Sequence, residues 1–268
     1  MTLVRLLQDL WRDYRTWDKP TQISLLLALL IGAGFVLGIV FAPADLRSMA
    51  IVGLIGMLIV IQVIVLWGNR RMVTPYAQAQ RHFSEGRYEQ ARETLEQLRD
   101  AGKANVHSLT LLGNTFRQLG RLDDSEDVLR EALDKESLHP FPLYGFGRTL
   151  LSKGEYQQAA EVLEKAYRAG VAVAQFDLGE VYFRLGQQEQ AQRYLKRVRP
   201  TLQESYRALM ADYLLYRIGV GEPPAFTLIS EGLPYWQESV RRYQATPYGT
   251  ALAEDIEVIH TLTEERNA

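Results

Sequence analysis

Gly86-Arg87-Tyr88-Glu89-Gln90-Ala91 is the stretch that decides the fold, because it returns three times. The copies are Gly120-Arg121-Leu122-Asp123-Asp124-Ser125, Gly154-Glu155-Tyr156-Gln157-Gln158-Ala159 and Gly186-Gln187-Gln188-Glu189-Gln190-Ala191, with their glycines 34, 34 and 32 residues apart. A fixed period in this range marks a helical solenoid, whose stacked units bury a core that none can bury alone. The glycine belongs at the turn between two antiparallel helices, where a positive φ costs little only without a Cβ. The small residue closing each copy belongs where the two helices cross. A large side chain there would force them apart.

Outward from the phrase, further positions recur. Upstream stand Leu112-Gly113 with Phe116, Phe146-Gly147 with Leu150, and Leu178-Gly179 with Tyr182; downstream stand Leu129 with Ala132, Leu163 with Ala166, and Leu195 with Val198. With these positions filled together, the sequence resembles the tetratricopeptide-repeat family over about residues 75–199. The resemblance implies an all-α fold, a right-handed superhelical α-solenoid of about four repeats set at 73–199. Three departures stand out: Gln78-Ala79 in place of Leu-Gly, Ser137 in place of a closing proline (Pro140 starts the next helix instead), and a fourth copy shortened near Gly170.

The resemblance also implies a concave groove lined by the first helix of each pair, and a protein or peptide partner bound there. The groove-facing candidates are Tyr76, Gln80, His107, Thr110, Asn114, Arg117, Tyr144, Arg148, Phe176, Glu180 and Arg184. Asn114, Arg117, Arg148 and Arg184 form a polar track for a peptide's carbonyls and acidic groups, since arginine can fork onto a carboxylate. Tyr144 and Phe176 are candidate apolar anchors. The competing reading is that these residues form only a solvated face. Relatives that clamp a C-terminal carboxylate use set Lys and Asn positions; Asn114 fits one, but the matching lysines are absent.

Before the repeats the composition changes. Thr21 to Ala42 and Ser48 to Trp67 carry no charged side chain, and about 20 apolar residues suffice to cross about 30 Å of hydrocarbon. The sequence predicts a membrane segment at 21–68 with two transmembrane helices, about 21–42 and 48–67. Helices of a soluble core are the rival reading, disfavoured by length. Gln62 is the one strongly polar side chain deep in the second run. Pro43-Ala44-Asp45-Leu46-Arg47 is so short a link that the spans must form a hairpin. Gly34 and Gly38 make a GxxxG pair, with Gly53 and Gly56 on the second span, and such residues let helices approach closely. They serve either packing between the two spans or a dimerisation face.

Arg5, Arg12, Arg15 and Lys19 precede the first span and Arg70 and Arg71 follow the second, while the connecting loop holds only Arg47. This bias places both termini in the cytoplasm. The expected localisation is therefore an integral, two-span membrane protein. Residues 1–20 carry Leu3, Leu7, Leu10, Trp11, Tyr14 and Trp17 on one helical face, which suits an interfacial amphipathic segment or a tail packed on the solenoid. Their acidic residues and the lack of a cleavage pattern argue against a cleavable signal peptide. Thr74 and Pro75 read as the start of the first repeat helix, close to the bilayer.

Residues 200–268 lose the repeat and read as a degenerate repeat followed by a helical C-terminal cap. A helix is predicted over 202–218, then two more at about 225–244, disturbed at Pro234, and 249–265. Tyr235, Trp236, Tyr243 and Tyr248 are either the core of this cap or an aromatic patch for a partner.

The chemistry-bearing patterns are missing. The chain has no Cys, which removes disulfides, Cys-ligated zinc and thiol nucleophiles, and only four His, none paired at metal-ligand spacing. It has no phosphate loop, no GxSxG and no HExxH. No catalytic, cofactor or metal site is expected. A net charge of −2 gives no field for nucleic acid. The expected function is a non-catalytic, membrane-anchored adaptor or scaffold that binds protein and helps assemble a membrane complex, with the bilayer as its second partner. The alternatives are a self-associating, homo-oligomeric structural membrane protein, or an accessory subunit of a transport or secretion system.

Overall fold

The computed structural model of the protein describes residues 18–69 and 74–267, and among them every regular element is a helix. The segment 1–17, with its candidate interfacial face, and Arg70 and Arg71 lie outside the described residues. The chain divides into two compact units, at residues 1–74 and 75–268.

In the first unit, α1 (Lys19–Phe41) begins with the Asp18 side chain accepting from the Thr21 backbone N–H and with Pro20 in the first turn, both favourable at a helix start. It stops at Ala42, ahead of Pro43, and α2 (Ala44–Asn69) begins at once. The link is thus shorter than the five residues read from sequence. Arg47, inside α2, turns back so that its Nε donates to the Ala42 carbonyl at 3.0 Å. The two helices pack side by side. A Cβ on Gly38 would touch Ala50 at 3.5 Å, one on Gly32 would touch Met57 at 3.5 Å, and one on Gly53 would run into the Phe35 ring. Gly38 and Gly53 therefore serve the packing of α1 on α2, whereas an added methyl at Gly34 or Gly56 would meet nothing within 4 Å. The remaining surface is apolar: Leu30, Phe41, Met49 and Val52 are all at least 70% exposed.

The second unit stacks helix pairs: α3 (Pro75–Ser84) with α4 (Tyr88–Asp100), α5 (Val106–Gln118) with α6 (Leu122–Lys135), α7 (Pro140–Lys153) with α8 (Tyr156–Arg168), and α9 (Ala174–Arg184) with α10 (Gln188–Val198). The four repeated glycines close the first helices with φ between 71° and 85°, the left-handed region that a Cβ disfavours. Ala91, Ser125, Ala159 and Ala191 are fully buried at the crossings. Ser125 is the polar exception, and it is satisfied: its hydroxyl donates to the Gly113 carbonyl at 2.7 Å and lies 2.8 Å from Thr149 Oγ1. A Cβ on Gly113, Gly147 or Gly179 would come within 2.5–2.6 Å of Leu129, Leu163 or Leu195 of the paired helix. The Gly thus lets the leucine reach the partner backbone. Each of those leucines is fully buried, a state that stabilises by about 1.5–3 kcal/mol per side chain.

The departures from the family pattern are absorbed locally. Ala79 still reaches the core beside Gln78, which is exposed. His139 accepts from the Phe141 N–H as the N-cap of α7, with Pro140 in the first turn. The shortened fourth copy turns at Gly170, with φ 99°, and α9 starts only at Ala174.

Successive first helices, α3, α5, α7 and α9, lie against one another, and α11 (Ser205–Arg217) continues that row after a short 3-10 turn at Arg199–Thr201. Two helices remain: α12 (Phe226–Tyr243), which carries Pro234 within it, and α13 (Pro247–Asn267). They follow α11 as a hairpin, and α13 packs back against α7.

Candidate partner-binding groove

The family's groove is built from positions at fixed distances before each turn glycine. Ten residues before it stand Tyr76, Thr110, Tyr144 and Phe176; six before it stand Gln80, Asn114, Arg148 and Glu180. All lie on first helices, at matching positions of one row in the repeat register. The structure divides that row in two.

In the C-terminal half the groove is filled by the chain's own α12–α13 hairpin. Trp236 stands over Phe176, with ring centroids 6.5 Å apart, and its indole N–H donates to the Tyr206 carbonyl at 2.7 Å. The Tyr248 hydroxyl donates to Glu180 at 2.8 Å. The Arg184 guanidinium pairs with Asp255 of α13, which also accepts from the Tyr213 hydroxyl at 2.9 Å. Arg242 donates to the Gln118 side chain at 2.6 Å, and the Tyr243 hydroxyl donates to the Arg117 carbonyl at 3.4 Å. Even the turn glycines meet the hairpin: a Cβ on Gly154 would lie 2.8 Å from Pro247, and one on Gly120 3.0 Å from the Arg242 carbonyl. Between these groups lies a cavity of about 10 Å³, lined in part by Arg148, Asp177, Glu180 and Trp236.

The polar track expected along this groove is therefore engaged from within. Arg184 answers Asp255, and the Arg148 Nε lies 3.2 Å from Asp177, which also accepts from the Tyr144 hydroxyl at 2.8 Å. Phe176, Glu180 and Arg117 are buried, and Tyr144, Arg148 and Arg184 are largely covered. These six residues, read from sequence as a surface for a peptide, contact the chain's own C-terminus or one another. Trp236, Tyr243 and Tyr248, each under 7% exposed, belong to the core of the cap and not to a free aromatic patch.

The electrostatics follow from burial. Desolvation pushes the Glu180 carboxyl up to about 6, against the opposing pull of Arg184, 3.7 Å away, and the Tyr248 hydrogen bond. Burial also lowers Arg117, and the like charge of Arg148 lowers it further. Among the described residues no carboxylate pairs with Arg117; its Nη2 donates to Asn114 Oδ1 at 3.3 Å and its Nε has no partner among them.

In the N-terminal half the same row is open. Tyr76, His107, Thr110, Leu111, Asn114 and Phe141 line a cavity of about 240 Å³ that opens to solvent. Gln80 is exposed nearby in sequence on α3. The His107 and His139 rings meet edge to face at 5.2 Å, and Phe141 and Leu138 are exposed at 56% and 76%. Of the sequence candidates, Tyr76, Gln80, His107, Thr110 and Asn114 belong to this half. Leu111, Leu138 and Phe141 were not singled out from the sequence. The signal for Phe141 was its place thirteen residues before Gly154, the position that His107 holds before Gly120.

Residues 76–140 and residues 150–213 each match a family model described as tetratricopeptide repeat. Among curated proteins none matches the chain. Similar solved structures include the crystal structure of MamA, 20% identical with a TM-score of 0.45, over 62% of this chain and 95% of that one. A thermophilic TPR protein from Thermus thermophilus is 17% identical with a TM-score of 0.49, over 68% and 97%. A Podosopora anserina putative kinesin light chain with nearly identical TPR-like repeats is 18% identical with a TM-score of 0.44, over 72% and 96%. The two model matches, together with the positive-φ turn glycines and the buried small residues at every crossing, make the stretch from 76 to 213 a tetratricopeptide-repeat solenoid.

Proposed function

We propose that the chain is a membrane-anchored adaptor: α1 and α2 cross the bilayer as a hairpin, and the open end of the repeat groove holds a protein partner. Tetratricopeptide repeats imply an interaction role, of adaptor or scaffold. Fold alone does not name the partner.

The observation that carries the anchoring is the surface of α1 and α2. Two helices of 23 and 26 residues are long enough to span about 30 Å. They turn most of their large apolar side chains outward, an arrangement that water penalises at about 25 cal/mol per Å². The lysines and arginines flanking the hairpin support cytoplasmic termini. Carbonate washing of membranes tests this reading. The full chain is expected to stay with the lipid, and removal of residues 21–67 should release the remainder; a full chain found in the aqueous fraction would refute it. A reporter fused after Ala268 should read cytoplasm.

Self-association is a second reading, supported by the open space at Gly34 and Gly56. Cross-linking in membranes should then give an oligomer ladder that Gly34→Leu abolishes, and an unchanged ladder would remove the idea.

A further inference from the structure

α2 carries one strongly polar side chain that the hairpin leaves unused. Gln62 is exposed, and among the described residues nothing hydrogen-bonds its amide. In a bilayer that position matters. Between the Ser48 and Trp67 ends of the span, Gln62 lies about 7 Å from the middle at 1.5 Å per residue. It is then about 8 Å inside the edge of a 30 Å hydrocarbon layer, farther than a glutamine side chain reaches. An amide held there without a partner costs free energy. α1 does not supply the partner: Ala50, Gly53 and Met57 are the α2 positions against Gly38, Phe35 and Gly32, and Gln62 lies on the other side of the helix.

The residues that share its side recur at coiled-coil spacing. Ser48, Ile51, Ile55, Leu58 and Gln62 are three, four, three and four residues apart, and all five are exposed. Ile55 and Gln62 take one heptad position and Ile51 and Leu58 the other. A single polar residue in such a seam fixes register and strand number, and membrane helices pack mostly in this left-handed geometry.

We propose that α2 pairs within the bilayer with α2 of a second copy of this chain, along Ile51, Ile55, Leu58 and Gln62, with the two Gln62 amides bonded to each other. Two copies share one topology, so their α2 helices run parallel and the two amides meet at one depth. A glutamine amide holds both donors and an acceptor, so about a two-fold axis each side chain satisfies the other. A different chain would have to bring its own polar group to that depth. The proposal rests on α1 and α2 spanning the membrane, and it gives self-association a face other than that of Gly34 and Gly56: Gly56 stands about 120° round the helix from Gln62.

Single cysteines in this cysteine-free chain test the seam in native membranes. On mild oxidation, Ile55→Cys and Leu58→Cys are expected to link two full-length chains. Val63→Cys, equally exposed but about 100° round the helix from Gln62, is expected not to. On dilution of the full chain in lipid, Gln62→Leu should raise the dimer dissociation constant about fivefold or more. Gln62→Asn, which keeps an amide, should restore most of the loss, and Gly34→Leu should change nothing. Equal linking at all three positions, a dimer indifferent to Gln62→Leu, or adducts with another protein in place of a dimer would overturn the proposal. Carbonate washing separates it from the reading beneath it. A chain that stays with the lipid without dimerising leaves the anchor standing, and one that washes off removes both.

Discussion

One groove, built by one repeat, is closed at its C-terminal half and open at its N-terminal half. Around Phe176, Glu180 and Arg184 the chain supplies its own ligand: Trp236, Tyr248 and Asp255 meet the three in turn. Around Tyr76, His107 and Asn114 none of the described residues does so, and a cavity of about 240 Å³ opens there. The repeat therefore fixes where a partner lies, and the residues ahead of each turn glycine fix what that partner must carry. A solenoid must cover its last apolar face. This one does so with α11 in the row of first helices and with a hairpin folded back onto that row, so capping and groove-filling are the same act.

The largest effect should come from breaking the closed half. Asp255→Ala leaves Arg184 buried with only Glu180, 3.7 Å away. Losing one partner of a buried pair costs about 3–5 kcal/mol, readable by urea denaturation of the solubilised chain. A loss below about 1 kcal/mol would mean that the hairpin is not docked in solution.

A smaller effect is expected from pH. Glu180 is raised to about 6 from an ordinary 4.5. The folded state therefore binds the proton more tightly than the unfolded chain does, and stability rises as pH falls from 7 toward 5. The full gain is about 2 kcal/mol, at 1.36 kcal/mol per unit, and is reached only below the ordinary 4.5; about 1 kcal/mol of it falls between pH 7 and 5. Glu180→Gln should flatten this dependence, and a wild-type slope that survives it would assign the titration elsewhere.

Two turn glycines sharpen the contrast further. Gly86 and Gly154 share the left-handed conformation, but a Cβ on Gly86 meets nothing within 4 Å and one on Gly154 meets Pro247 at 2.8 Å. Gly86→Ala should cost about 1–2 kcal/mol for the backbone alone. Gly154→Ala should cost about 1 kcal/mol more, because the hairpin must shift. Equal costs would place α13 away from the turn. The smallest effect is expected on the outer face: Arg99 and Glu131 pair at 2.7 Å but are both about a third or more exposed. Arg99→Ala should change stability by less than about 1 kcal/mol.

Much of this fold was legible in the sequence. Gly120 and Ser125, or Gly154 and Ala159, announce a turn and a crossing because only a residue without a Cβ, or with a small side chain, fits there. The helices α3 to α10 follow from that local chemistry, and the first-helix positions before each glycine gave the groove row. The fate of that row was not local. Whether Arg184 faces solvent or Asp255 depends on a contact across 71 residues, and helical periodicity gives a helix its stripe without naming what the stripe covers. One signal was present: Asp255 sits among Leu252, Ile256 and Ile259, all buried. An acid on an apolar stripe implies a buried cation elsewhere, and the inner-face arginines were the candidates. Likewise the glycines of α1 and α2 promised close approach, but only the packing separates Gly38, against Ala50, from Gly34, against nothing.

Because the chain has no Cys, thiols introduced one at a time read the two halves directly. His107→Cys places a thiol at the open cavity, and Ser152→Cys places one at a residue 5% exposed beside the hairpin. In the native, detergent-solubilised full chain a maleimide should label His107→Cys rapidly and Ser152→Cys at a rate limited by opening of the fold, the two becoming equal in denaturant. Equal native rates would show that the C-terminal half of the groove is not closed by α12 and α13.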